Sequence, residues 1–86
     1  MPHLLAKLTN VPLEVIKEVL HKDAEFHASQ GMYLEHIWEN ADVENEVQFL
    51  FRIDDITATK ILIDKLHSDA LAENPGANLP AMTYFL

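Results

Sequence analysis

Apolar and polar residues alternate in four short stretches of this chain and recur at helical spacing in two longer ones. Residues 3–9 (HLLAKLT) set Leu4, Ala6 and Leu8 against His3, Leu5 and Lys7, a period of two that predicts a strand. Asn10-Val11-Pro12 reads as a helix start, with Asn10 able to cap and proline suited to the first turn. A helix is expected over 12–30, stopped by Gly31. Leu13, Ile16, Val19, Leu20, Ala24 and Phe26 fill one half of its wheel. Glu14, Lys17, Glu18, His21, Lys22 and Glu25 fill the other.

Residues 32–39 (MYLEHIWE) and 46–53 (EVQFLFRI) are rich in aromatic and branched types, and NADVEN between them supplies turn residues at hairpin length. Asp54-Asp55 can cap a second helix over 56–73, with Ala58, Leu62, Ile63, Leu66 and Ala70 as its core stripe and Asn74-Pro75-Gly76 as its stop. Residues 81–86 (AMTYFL) form a last strand. The order β-α-β-β-α-β in one domain over 1–86 predicts a ferredoxin-like α+β fold. Right-handed crossovers interleave two β-α-β halves into a four-stranded antiparallel sheet with both helices on one face.

The opposite sheet face is then bare. His3, Leu5 and Lys7 lie on it, with Gln48, Leu50 and Arg52, because Val47, Phe49, Phe51 and Ile53 make the better helix-facing row. For the strand 32–39 two registers stay open. One puts Leu34, His36 and Trp38 on the bare face; a slip of one residue puts Tyr33, Glu35 and Ile37 there, with Glu35 in reach of Arg52. A partly apolar sheet face is rarely left in water, so a homodimer through it is expected, enclosing a cleft suited to a small organic ligand.

Composition narrows the function classes. The apolar share of 49% with 23% charged residues is ordinary globular composition. Six basic against fourteen acidic residues give −8, with Arg52 the sole arginine, so neither nucleic acid nor a membrane surface is an expected partner. Without cysteine there is no thiolate nucleophile and no cysteine-ligated zinc, and Gly31 and Gly76 alone cannot build a phosphate loop. The opening Met1-Pro2-His3 lacks the basic and apolar regions of a signal peptide, which makes the cytoplasm the expected location.

This layout resembles the dimeric α+β barrel superfamily, and within it the antibiotic-biosynthesis-monooxygenase-like group. The resemblance rests on the first strand and long helix ending at Gly31, and the strand carrying Tyr33 and Trp38. It continues through the strand ending Arg52-Ile53-Asp54-Asp55 and the helix with Leu66-His67-Ser68. It implies a ferredoxin-like protomer, a dimer, and chemistry ranging from cofactor-independent oxygenation to small-ring isomerisation and haem degradation. The group's frequent tryptophan–acid ending of the third strand is absent, since Arg52-Ile53 stands there.

Three constellations are candidates for chemistry. Asp23 and His27 lie four apart on one helix face, within its apolar half, as a carboxylate orienting an imidazole base; otherwise the helix overhangs the sheet and both are wet. His36 offers a second base beside the apolar wall of Trp38, or both simply pack a dimer interface. Arg52 suits a carboxylate ligand or pairs with Glu35 or Asp54, and Tyr33 joins Trp38 and Arg52 as a candidate binding residue. His3 is expected to fray and His67 to be solvated. No HxH, HxxxH or HExxH spacing occurs, so neither a metal nor another cofactor is expected. The leading expectation is a small-molecule-binding dimer with cofactor-free proton-transfer or oxygenation chemistry. The alternatives are a non-catalytic dimerisation or regulatory module, and a domain whose pocket is filled by its own side chains.

Overall fold

A computed structural model describes all of residues 1–86. The elements are β1 (His3–Leu8), α1 (Leu13–Lys22), α2 (Ala24–Ser29), β2 (Met32–Glu39), β3 (Val47–Ile53), α3 (Ile56–Glu73) and β4 (Ala81–Phe85). The four strands form one antiparallel sheet in the order β2-β3-β1-β4, the ferredoxin-like α+β arrangement that the element order dictates. Leu4, Ala6 and Leu8 from β1 and Val47, Phe49, Phe51 and Ile53 from β3 are buried against Ile16, Leu20 and Ile63 from the helices. The alternate residues Leu5 and Leu50 pair across the two central strands and have no layer over them.

The predicted first helix is bent. Asp23, with ψ near 6°, separates α1 from α2. The Asp23 amide still donates to the Val19 carbonyl (3.0 Å), and the His27 amide to that of Asp23 (2.9 Å), so the backbone ladder continues through the bend. Pro12, not Asn10, occupies the N-cap, and no side chain caps this end. Gly31 closes α2 at φ +74°, a left-handed conformation that favours glycine. A Cβ there would lie 3.0 Å from the Asp54 carboxylate. Asp55 caps α3 by accepting from the Ala58 amide (3.1 Å). The buried stripe of α3 runs through Thr59 and Ile63, whereas Ala58 and Leu66 are exposed. Leu62 and Ile63 of the predicted stripe face the core, Thr59 joins them in place of Ala58, and beyond them Leu66 borders a cleft over the sheet.

Both registers considered for β2 occur, one at each end of the strand. Tyr33 pairs with Arg52 and Leu34 with Phe51; after an irregularity at Glu35, His36 pairs with Leu50, Ile37 with Phe49 and Trp38 with Gln48. Glu35 is the extra residue of a β-bulge. Before it, odd-numbered residues point to the bare face, and after it even-numbered ones do. Tyr33, Glu35, His36 and Trp38 therefore all reach the bare face, and Leu34 and Ile37 turn toward the helices.

Candidate functional site

The bent helix stands off β2, and the gap is a cavity of 430 Å³. Leu20, Met32, Leu34, Ile37 and Phe51 form its apolar walls, with Ala24 and Ala28 on the helix side, where small residues leave room. Its volume falls within the ~300–1,000 Å³ of small-ligand pockets. Lys17 and His21, one turn apart on α1, line it from the helix, and His27 from α2. None of its eleven lining residues is a carboxylate, in a chain with fourteen.

A second cavity of 230 Å³ lies between the bent helix and α3, lined by Asp23, His27, Leu66 and His67 above Phe49, Phe51 and Met82. His27 borders both spaces. Its ring meets the Phe51 ring edge-on at 5.2 Å between centroids. Burial lowers the His27 pKa below its ordinary 6.5, and the nearby Asp23 carboxylate offsets part of that shift. The imidazole is therefore neutral at neutral pH, with one nitrogen free to accept a proton.

Asp23 makes neither a hydrogen bond nor an ion pair with His27, although both line the cleft beside α3. It acts on His27 through its field, not as a bonded orienter.

The other candidate residues gather on the bare sheet face, away from both cavities apart from Tyr33, which also lines the larger one. His36 and Trp38 stack on each other, with centroids 5.1 Å apart and planes at 21°. The Arg52 guanidinium lies over the Tyr33 ring, 4.4 Å from its centre, and the Tyr33 hydroxyl donates to Asp54 (3.3 Å). Arg52 Nε lies 3.9 Å from one Glu35 oxygen, and the other oxygen accepts from His3 Nε2 at 2.9 Å. His3 Nδ1 contacts the Met1 carbonyl at 2.9 Å, so this histidine is held at both nitrogens and does not fray.

At the far end of the same face Glu46 is nearly buried, hydrogen-bonded by Asn40 and 3.3 Å from Lys7. The Asn40 hydrogen bond and the Lys7 ammonium hold its carboxyl below the usual range, against the opposing effect of burial.

Sequence reasoning passed over Lys17 and His21, because both lie on the polar half of the helical wheel. Only the displacement of that helix past the sheet edge turns this half into a cavity wall. It also passed over the ion cluster around Glu35, whose sole signal was the ambiguity of register. No group of three or more potential ligand residues could hold a metal ion, and no helix is long and apolar enough to cross a membrane. No protein-family model, curated protein or solved structure matches the chain.

Proposed function

We propose that this domain binds a small, partly apolar organic molecule between its bent helix and β2. The observation that carries this reading is the 430 Å³ cavity, walled by leucines, Met32 and Phe51, with a neutral imidazole set into it. A well-formed apolar pocket with a few convergent polar groups is where ligands bind. A histidine whose proton affinity is lowered by its surroundings marks a functional group in such a pocket. In this reading His27 accepts a hydrogen bond or a proton from the ligand, and the Asp23 field steadies the imidazolium that forms. That is the equipment of a cofactor-free proton transfer of the isomerase kind.

The test is titration of isotope-labelled protein with 2-naphthamide, a neutral bicyclic probe, followed by amide and imidazole NMR. Saturable shifts at Leu20, His27, Leu34 and Phe51 are expected, and they should vanish in Leu34→Trp, which fills the space. Saturation without those residues moving, or no saturation at millimolar probe, would remove the reading.

A second reading, association of two copies through the bare sheet face, is favoured by a separate observation. Folded monomers of this mass expose about 5,200 Å². This chain exposes 5773 Å², an excess of about 600 Å² over that scaling. On the bare sheet face Trp38 and Phe85 are half-exposed, and Leu5 and Leu50 lack a covering layer. Sedimentation should show a dimer whose population rises with concentration, and a monomer at every concentration rules the association out.

A further inference from the structure

We infer that the ligand of the helix–β2 cavity is an amphipathic monoanion, an apolar body carrying one carboxylate or similar group held at Lys17 and His21. This rests on the proposal that the cavity binds a ligand, and adds its charge and orientation. The first support is the distribution of charge. Fourteen of 86 residues are acidic, yet the cavity has no acidic lining residue and gathers one lysine and two histidines.

The second support is the state of the lysines. Lys7 is engaged by Glu46, whereas Lys17, like Lys22, Lys60 and Lys65, has no carboxylate within ion-pair distance, and of these unpaired lysines it alone lines the cavity. An unpaired ammonium beside an apolar hollow can bind an anion without first breaking a salt bridge. A lysine there acts as a mobile point charge, able to follow the headgroup.

The third support is the order of the groups along the helix. Lys17 and His21 are one turn apart, and Ala24 and Ala28 continue the same row, so polar wall gives way to small-residue wall within the cavity. A ligand with its charge toward Lys17 therefore places its apolar part against Leu20, Leu34 and Phe51. His27 then faces the body of the molecule, not its charge.

The net charge of −8 sharpens the expectation. At low ionic strength the whole chain repels an anion, while the local contacts attract it over a few ångströms. Anion binding should therefore survive moderate salt better than a surface-steered interaction would.

The experiment compares 2-naphthoate with 2-naphthamide on the full chain by calorimetry and NMR. The two share a ring system and differ in charge. The carboxylate is expected to bind about fivefold more tightly, the scale of one partly exposed ion pair. Lys17→Met should erase that preference, so that the variant binds the two probes alike. Lys22→Met removes the same charge from the same helix outside the cavity and should leave the preference intact. If both probes bind equally to the native protein, or Lys22→Met lowers the preference as much as Lys17→Met, the anion inference is wrong and the cavity proposal stands. If neither binds, both fail. Lys17 is exposed, so its replacement leaves the core untouched, and circular dichroism of each variant confirms the fold.

Discussion

His27 and Glu46 are the two residues through which pH should act most visibly on this protein. Burial lowers the His27 pKa, so the unfolded chain, at 6.5, takes up that proton more readily than the native one. The native state is at its full relative stability above 6.5, loses stability as pH falls, and stops losing it below the lowered native value. His27→Gln carries no such proton. Urea denaturation at about pH 7.5 and about pH 5.5 should therefore show native protein losing more on acidification than the variant. The other four histidines are common to both proteins and cancel in the difference. Glu46 works in a lower window: its carboxyl is held below 4.5, so its contribution is present above that value and is lost on further acidification. Parallel midpoints for native protein and His27→Gln across the upper window would show that the imidazole is not desolvated.

At the scale of elements, the bulge at Glu35 decides what β2 does. Alternation made this strand recognisable, but alternation alone could not fix which parity faced the helices, because an inserted residue changes the parity halfway. The two candidate registers were each right for one half. Removing Glu35 should therefore leave a regular strand: Met32, Leu34 and Ile37 still inward, Tyr33, His36 and Trp38 still outward. The deletion variant is expected to fold, with stability within about 1 kcal/mol, since what disappears is a pair of partly exposed ion contacts to His3 and Arg52. NMR should show unchanged cross-strand contacts from His36 to Leu50 and from Tyr33 to Arg52. A variant that folds with Ile37 on the bare face, or does not fold, defeats this account of the bulge. The helices illustrate the other limit of the sequence. Periodicity located them within a residue or two, since helix-facing residues such as Ile16, Leu20 and Ile63 are fixed by burial. It could not reveal the bend at Asp23, which keeps its i→i+4 hydrogen bonds, nor the cavity, which depends on how far a helix stands from a strand. His27 was legible as an ionisable group on an apolar half-wheel. Its bonded partnership with Asp23 was not realised, because a spacing of four brings two side chains near each other without fixing the rotamers that a hydrogen bond needs.

At the scale of the whole molecule, the unequal placement of charge bears on how two copies would meet. Lys7 and Arg52 on the bare sheet face are balanced by Glu35 and Glu46, so the net −8 resides on the helices, the loops and Glu39 at the end of β2. Two copies approaching face to face are repelled by their remote charges and not by the surfaces that touch. Four strands about 4.8 Å apart and about seven residues long present roughly 450 Å² of projected sheet. Side-chain relief makes the accessible area larger than this projection, but a single sheet face of this size stands at the small end of the interfaces that copies form, and a dimer through it would dissociate on dilution. Because salt screens the remote repulsion within a Debye length of about 8 Å at 0.15 M, raising ionic strength should strengthen this association. Trp38 is the sole tryptophan, half-exposed on that face, so its emission reports the event directly. The emission should shift to the blue as protein concentration rises, at lower concentration in 0.3 M than in 0.02 M sodium chloride, in step with the sedimentation coefficient. Leu50→Asp places a carboxylate at the centre of each facing sheet and should fix the emission at its dilute value. The fold should remain, since the eleven core residues lie on the opposite face. Emission that ignores concentration, or an association that salt weakens, would mean that the face is not where copies meet.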